Sequence, residues 1–258
     1  MDMELAGKVV LVTGGTRGIG FACARAFVEE GARVAVVSRS QANVDRACAA
    51  LDGIFGITAD LVDDREALRA IDHVERDVGP IDILVNSAGA ARRTPPSELT
   101  PAIYRAAMDA KFFSYVNVID PVVKRMATRK AGVIVNVIGN GGKVASPIHI
   151  PGGAANSALM LLTAGLANAY AGLGLRVVAV NPGPTETERL AEGLNADAKL
   201  NSISEAEARE RITARIPLGR MADPTEIANA VLFLASGKAG YITGVSVSMD
   251  GAASPVVV

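Results

Sequence analysis

The chain has 258 residues, 50% of them hydrophobic, and a formal net charge of −1 from 26 basic and 27 acidic side chains. A chain of this length can bury a substantial core, and a single α/β domain routinely reaches this size. Because the charge is nearly balanced and no basic run occurs, we expect no general attraction to nucleic acid or to an anionic membrane, and a small molecule as ligand.

The N-terminus and the cysteines give no sign of export or of metal binding. The first four residues, Met1-Asp2-Met3-Glu4, are acidic, unlike a signal peptide, and we expect no apolar run of about 18 residues that would span a bilayer. Cys23 and Cys48 lie in two predicted helices without the spacing of a metal site or a redox pair, which indicates two reduced, packed thiols. The sequence therefore predicts a cytoplasmic protein without a metal site.

Short β-branched runs alternate with longer helical patterns along the whole chain. The predicted strands are 9–12, 33–38, 55–58, 81–85, 133–138, 175–180 and 245–249. They are nearly continuous apolar runs, as expected where helices cover both faces of a parallel sheet. Right-handed crossovers then predict an α/β fold, a Rossmann-type doubly wound parallel sheet of about seven strands, in one domain covering 1–258.

The region 186–216 differs from the rest of the chain. It is polar, helical in composition, and inserted between the sixth predicted strand and the next helix. Long insertions of this kind are often functional loops or lids. We therefore expect this region to form a lid over the ligand site.

A glycine-rich turn, Thr13-Gly14-Gly15-Thr16-Arg17-Gly18-Ile19-Gly20, follows the first predicted strand and opens the first predicted helix. Such a tight turn needs residues free to adopt positive φ, and a backbone that approaches a phosphate closely leaves no room for a Cβ atom. The helix that begins at Gly18 directs free N–H groups and its positive end into the turn, which favours an anion. We predict a dinucleotide pyrophosphate there; the alternative is a tight turn without a ligand.

The end of the second predicted strand indicates which dinucleotide binds. An NAD site usually presents a carboxylate to the adenosine ribose at this point, whereas the residues here are Ser38-Arg39-Ser40. The Arg39 guanidinium suits the oxygens of a 2′-phosphate, and Arg17 can add a second positive charge from the turn. NADP(H) is therefore favoured over NAD(H), and the alternative is that both arginines are solvated surface charges.

Further segments follow the later strands. Asp60-Leu61 follows the third strand, Asn86-Ser87-Ala88-Gly89 follows the fourth, and Asn181-Pro182-Gly183-Pro184-Thr185-Glu186-Thr187 follows the sixth. With the glycine turn, and with 241–251 near the C-terminus, they resemble the short-chain dehydrogenase/reductase family from about residue 7 to residue 251. The spacing Gly-x-x-x-Gly-x-Gly is similar to the cofactor turn of that family, and 86–89 matches its Asn-Asn-Ala-Gly motif with one substitution.

The resemblance implies roles for these segments. Asp60 would meet the adenine ring, while the Thr185 backbone and the Thr187 hydroxyl would hold the nicotinamide amide and the phosphates. The cofactor-binding residues predicted in this way are Gly14, Thr16, Arg17, Gly18, Ile19, Gly20, Ser38, Arg39, Asp60, Leu61, Asn86, Ala88, Gly89, Asn156, Pro182, Gly183, Thr185 and Thr187.

The catalytic residues of the family do not carry over. The family has a Ser after strand five, a Tyr thirteen residues later, and a Lys four residues after that Tyr; these positions hold Gly139, Gly152 and Asn156 here. Lys111 stands where the family has an Asn in the preceding helix. Residues 139–156 include no tyrosine, and none of the four tyrosines of the chain precedes a lysine by four residues. The usual acid and base are therefore missing.

Lys111, His149 and Asn156 remain as candidates for the chemistry. The stem of Lys111 could carry an ammonium towards the space left at Asn156, where desolvation would lower its pKa; the alternative is a packed stem with a solvated head. His149 titrates near neutral pH and lies three residues before Gly152, and the alternative is a histidine of a surface loop.

Three functions stay open on these grounds. The first is an NADP(H)-dependent carbonyl reductase or alcohol dehydrogenase with an atypical active site, since hydride chemistry belongs to the cofactor. The second is a catalytically silent NADP(H)-binding sensor or partner subunit, and the third is a non-redox enzyme on the same fold.

The substrate and the assembly are less defined. Small and apolar residues at 90–91, 145–148 and 190–194 suggest an uncharged or largely apolar substrate, whereas Arg92-Arg93 could accept a carboxylate. The resemblance implies pairing of the helices at 100–130 and 151–171, of which the second is rich in small residues. We therefore expect a homodimer or homotetramer.

Overall fold

The computed structural model of the chain describes residues 2–89 and 92–256, without the side chains at 192, 196 and 199. Its centre is a seven-stranded sheet in the order β3-β2-β1-β4-β5-β6-β7, with every neighbouring pair parallel. The strands are β1 Val9–Thr13, β2 Arg33–Ser38, β3 Phe55–Thr58, β4 Ile83–Asn86, β5 Gly132–Val137, β6 Leu175–Pro182 and β7 Ser246–Met249. The predicted α/β doubly wound sheet is confirmed.

Nine α-helices are found in the described part of the chain. They are α1 Gly18–Glu29, α2 Gln41–Ala50, α3 Asp64–Asp77, α4 Pro101–Ala107, α5 Ser114–Arg129, α6 Ile150–Tyr170, α7 Glu188–Asn201, α8 Glu205–Ala214 and α9 Pro224–Ala235. A π-helical segment, Met108–Phe113, joins α4 to α5. Short 3₁₀ turns occupy Pro96–Glu98, Asn140–Gly142, Ala171–Leu173 and Gly237–Ala239.

Helices cover both faces of the sheet because every strand between the edges is apolar on both sides. Buried residues of α3, α5 and α6 pack on one face, and those of α1 and α9 pack on the other. The order of the strands reverses at β1, which lies between β2 and β4. A crevice therefore opens beyond the carboxyl ends of β1 and β4, where open α/β sheets bind their ligands.

A buried polar ladder crosses the sheet below this crevice. The Thr13 hydroxyl donates to Asn86, the Asn86 amide to Asn136 (3.0 Å), and the Asn136 amide to Thr163 of α6 (3.0 Å). All four residues are fully buried. Since buried polar groups are costly unless paired, the ladder fixes β1, β4, β5 and α6 in one register.

Two local predictions agree with the structure: the helices in the region 186–216 and the two free thiols. The region 186–216 holds α7 and α8, in agreement with its helical composition. The thiol of Cys23 is buried in α1, which raises its pKa to about 12, and Cys48 is half-buried in α2.

The expected absence of a long apolar run was wrong. Within the described residues, one helix, α6 continued by its 3₁₀ turn (Ile150–Leu173), is long and apolar enough to cross a membrane by length and composition. The helix has 24 residues, and its most apolar stretch of 18 residues has a mean hydropathy of 1.3. One face of α6 packs on the sheet, with Ala155, Leu159 and Ala167 buried. Small residues and apolar side chains favour this packing as much as they favour a bilayer.

Candidate active site

The glycine turn after β1 is closed too tightly for side chains. Gly14 has a φ of 66°, and a Cβ atom placed on it would lie 2.8 Å from the Ala88 Cα; one on Gly20 would lie 2.3 Å from the Gly14 carbonyl oxygen. Both distances are shorter than Cβ contacts allow, so glycine is required at these two positions. The turn therefore brings β1, α1 and the chain after β4 into direct backbone contact.

The N-terminus of α1 faces the crevice with its donors free. Arg17 is the N-cap residue and its side chain makes no capping hydrogen bond, and the first turn carries no acidic residue. Thr187 faces this turn from the segment after β6, with its Cγ2 atom 3.4 Å from where a Gly18 Cβ would lie. Thr16 and Ile19 are half-buried beside them. This arrangement suits a pyrophosphate.

Arg39 and Arg17 lie at the end of the crevice where the sequence predicts the adenosine of a dinucleotide. Arg39 is exposed directly after β2 and makes no hydrogen bond or ion pair to any described residue, while the Ser38 hydroxyl accepts from the Ser40 N–H. Arg17 is also exposed and lies 3.8 Å from Glu188 of α7, a loose contact that leaves the guanidinium accessible. Both charges are thus available to a 2′-phosphate.

The segments after β3 and β4 are held mainly through their backbones. The Asp60 carboxylate accepts from the Val62 N–H (3.1 Å), and Leu61 is buried. Both polar atoms of the Asn86 side chain are engaged in the polar ladder. A Cβ atom on Gly89 would lie 1.9 Å from the Ala110 carbonyl oxygen, which shows how closely this loop approaches the π-helical segment.

The segment after β6 borders the crevice on the side opposite the glycine turn. Gly183 packs against Asp250, where a Cβ atom would lie 2.8 Å from the aspartate side chain. The Thr185 hydroxyl donates to the Gly183 carbonyl, and the Thr187 hydroxyl to that of Thr185 (3.4 Å) just before α7 begins. The predicted segment ending in Thr187 therefore lies across the crevice from the glycine turn.

The three catalytic candidates converge on the chain that leaves β5. Lys111 reaches the Val137 carbonyl, and the buried Asn156 amide donates to the Gly139 carbonyl at 3.5 Å. A Cβ atom on Gly141 would lie 2.9 Å from the His149 ring. The structure thus gathers residues from the π-helical segment, the loop before α6 and α6 itself.

His149 occupies the space where a side chain of residue 152 would begin. A Cβ atom on Gly152 would lie 2.1 Å from the imidazole Cε1 and 2.6 Å from Nε2. The Nδ1 atom is buried and has no hydrogen-bond partner among the described residues. Burial lowers the pKa of His149, and the positive charges of Arg93, Arg189 and Lys111 lower it further.

Lys111 is buried, with only 7% of its surface exposed, so its head is not solvated as the alternative expected. Its ammonium donates to the Tyr115 hydroxyl (2.8 Å) and to the Val137 carbonyl (3.1 Å), and lies 4.5 Å from the centre of the Tyr115 ring. Burial lowers the pKa of Lys111 to about 7, with a smaller contribution from the charge of Arg189. Burial raises the pKa of the Tyr115 hydroxyl, which donates to Val137.

The bond between Lys111 and Tyr115 was not predicted from the sequence. A search for tyrosine four residues before lysine excludes it, because Lys111 precedes Tyr115 by four residues. Residues four apart on a helix share one face in either order, so the spacing alone could have identified the pair.

Arg93 and Arg189 stand at the mouth of the crevice. The Arg93 guanidinium rests on α7, 3.5 Å from where a Gly193 Cβ would lie, and Arg189 donates to the Gly89 carbonyl (3.4 Å). Arg92 is exposed and makes no hydrogen bond or ion pair to any residue described. The predicted apolar lining at Ala90 and Ala91 lies outside the described residues.

Residues 14–253 match a protein family described as enoyl-(acyl carrier protein) reductase. The chain is 36% identical to a 3alpha-hydroxysteroid dehydrogenase of Mediterraneibacter gnavus, over 98% of this chain and 99% of that protein. It is 34% identical to an acetoacetyl-CoA reductase of Shinella zoogloeoides, over 95% and 97% of the two chains.

Solved structures resemble the fold along nearly its whole length. A variant of actinorhodin polyketide ketoreductase with NADPH superposes with a TM-score of 0.92 at 31% identity, covering 95% of this chain and 96% of that one. The L-sorbose reductase of Gluconobacter frateurii, in complex with NADPH and L-sorbose, has a TM-score of 0.92 at 25% identity and covers 100% of both chains.

Proposed function

Since the chain belongs to the short-chain dehydrogenase/reductase family, whose relatives here are oxidoreductases, we propose that it is an NADP(H)-dependent oxidoreductase with an atypical active site. It would interconvert a CH–OH and a C=O group of a small molecule, with His149 as acid and base. The observation that carries this proposal is the position of the imidazole, which fills the space beside Gly152.

The described residues fit NADP(H). The glycine turn and the N-terminus of α1 would hold the pyrophosphate, Arg39 and Arg17 the 2′-phosphate, and Thr187 the nicotinamide end. When bound, this cofactor supplies or accepts the hydride. The chain itself then has to orient the substrate and to transfer one proton.

His149 is suited to that proton transfer. Carbonyl reduction adds a proton to oxygen, and an imidazolium N–H within hydrogen-bond reach would donate it; in alcohol oxidation the neutral ring would accept it. A Cβ atom on Gly152, at the position of the family's tyrosine, would lie 2.6 Å from the Nε2 atom. Asn156, whose amide is bound to the Gly139 carbonyl, would keep the loop after β5 in place.

Lys111 would act through its charge. The ammonium is held by Tyr115 and Val137, so it is placed to position the end of β5 and to lower the pKa of His149. This differs from the expected direct contact with the substrate space, and it makes Lys111 a positioning residue.

One observation favours the second candidate, a catalytically silent NADP(H)-binding protein. The only buried ammonium near the site in the described chain is bonded inside the core, as a packed structural group would be. A silent protein would bind NADPH but oxidise it with no carbonyl compound at any pH.

The distinguishing experiment is a panel of carbonyl compounds and alcohols, assayed by nicotinamide absorbance with the parent chain and two variants. His149→Gln should lose about 10²–10⁴-fold in turnover, the usual contribution of a positioned acid. His73→Gln is the matched control, because His73 lies on α3 beside Asp77 and Phe55, away from the crevice. Equal activity of both variants would contradict the role of His149.

We also propose a homodimer or homotetramer in the cytoplasm. Apolar side chains stand exposed on the outer surface of α4 to α6, among them Tyr104, Phe113 and Leu161. Exposed apolar patches of this kind mark interfaces in soluble proteins.

A further inference from the structure

Two arginines, Arg93 and Arg189, lie where the loop after β4 meets α7. Arg93 is an exposed residue of the loop after β4, and its guanidinium lies beside α7, 3.5 Å from where a Cβ atom on Gly193 would lie. Among the described residues, no carboxylate lies within ion-pair distance of Arg93. Arg189, one residue inside α7, donates to the Gly89 carbonyl and so stands over the same loop.

The loop that carries Arg93 is fixed directly to the loop that carries His149. The Thr94 N–H donates to the Ile148 carbonyl at 2.9 Å. Arg93 and His149 are therefore each one residue from a backbone hydrogen bond that joins their loops. The charged groups that act on the His149 ring are Arg93, Arg189 and Lys111, and all three are cations.

These two loops also contain buried polar atoms that lack partners. The Thr94 hydroxyl and the His149 Nδ1 have no hydrogen-bond partner among the described residues, and Thr94 is only 4% exposed. A buried polar group without a partner costs free energy, so such groups need an explanation. Their clustering on the loops after β4 and β5 indicates that a polar ligand completes the site.

We propose that the substrate carries a small oxyanion, a carboxylate in the first place, next to its carbonyl or hydroxyl group, and that Arg93 binds it under α7. This inference rests on the proposed function, since it assigns the substrate class of the same site. A guanidinium binds a carboxylate with two parallel hydrogen bonds, and Gly193 leaves the face of α7 open beside it.

The bound anion would also raise the pKa of His149, the proposed acid. Arg93 and Arg189 disfavour the imidazolium form of His149 in the free protein, and a carboxylate between them would offset their charge. The acid pKa should therefore be higher in the pH profile of kcat than in that of kcat/KM, because the first refers to the substrate complex and the second to the free protein.

The test compares matched substrates on matched variants. The probes are short 2-, 3- and 4-oxo acids, their methyl esters, and a ketone bearing a phosphate in place of the carboxylate. We expect the parent protein to favour an oxo acid over its ester at least about tenfold in kcat/KM, and Arg93→Gln to remove that preference. Arg92→Gln is the control, since it loses the same charge one residue away without the contact to α7.

Binding to the NADP⁺ complex, measured by calorimetry, separates this inference from the proposed activity. Carboxylate binding that depends on Arg93 but not on Arg92 supports the inference even where no probe turns over. An equal effect of both variants, an ester used as well as its acid, or NADPH binding weakened by Arg93→Gln would overturn it. A preference for the phosphate probe would support an oxyanion on the substrate but would exclude a carboxylate as that oxyanion.

Discussion

The Lys111 ammonium and the Tyr115 hydroxyl form a 2.8 Å hydrogen bond inside the protein, one helical turn apart, and both contact the Val137 carbonyl at the end of β5. The family places its tyrosine four residues before its lysine, whereas Lys111 comes four residues before Tyr115 here. The pair lies on the helical segment that precedes β5 and is bonded to the backbone at the end of that strand.

The first prediction concerns the buried ammonium. The pKa of Lys111 is lowered to about 7, so between pH 7 and its ordinary value of 10.5 the unfolded chain binds more protons than the folded chain. Stability should therefore rise with pH across this window. Lys111→Met should flatten the rise, as measured by denaturant unfolding at several pH values.

Lys124→Met is the control for this prediction, because Lys124 is an exposed residue of α5 paired with Asp120. The Lys111 variant should also raise the pKa of His149 in the pH–rate profile, since one of the cations that lower it is gone. An unchanged slope of stability against pH would contradict the buried, partly neutral state of Lys111.

The second prediction concerns the pH dependence of turnover. The pKa of His149 is lowered from 6.5 by burial and by Arg93, Arg189 and Lys111. As an acid the ring must be protonated, so kcat/KM for carbonyl reduction should fall as the pH rises through a value below 6.5. Alcohol oxidation should show the opposite slope. Steady-state rates between pH 4.5 and about 9 measure both.

The third prediction concerns the choice of cofactor. Arg39→Asp removes an exposed guanidinium at the predicted 2′-phosphate site and should weaken NADPH binding by about 1–3 kcal/mol, the scale of a lost charge-assisted hydrogen bond. NADH binding should change much less. Arg46→Asp on α2 is the control. Calorimetry or nucleotide fluorescence measures the constants, and equal affinity of the parent chain for both nucleotides would exclude the assignment.

The fourth prediction concerns restoration of the family's pattern. Gly139→Ser, Gly152→Tyr and Asn156→Lys together should lower the Tm, because a side chain at 152 would collide with the His149 ring at 2.1 Å and Gly139 has a φ of 123°. Adding His149→Ala should recover stability and allow carbonyl reduction. If the triple and quadruple variants melt at the same temperature, the imidazole does not occupy that space.

The fifth prediction concerns assembly. Leu161 on α6 is 77% exposed, and a charged side chain there should prevent another copy from packing on this surface. We expect Leu161→Glu to lower the oligomeric state seen by light scattering at micromolar concentration. Leu68→Glu, at an exposed position on the outer face of α3, should leave it unchanged. A monomeric parent chain would contradict the prediction.

The sequence by itself determined the fold, and the positions of the elements follow it closely. The strands of a parallel sheet are apolar on both faces, so seven such runs mark β1 to β7 without any knowledge of contacts. Boundaries moved by one or two residues, as at β4, which begins at Ile83 instead of 81. The glycine turn could equally be predicted from the sequence, because the steric requirement for glycine is local.

Only the tertiary structure decided where the side chains of the site go. The sequence placed Lys111, His149 and Asn156 near one another, but the burial of Lys111 and Tyr115 against the Val137 carbonyl and the position of the His149 ring beside Gly141 depend on the packing of separate segments. A long side chain has several accessible rotamers, and its neighbours from other elements select one of them. Local pattern determines which backbone forms, whereas contacts between distant parts of the chain determine its chemistry.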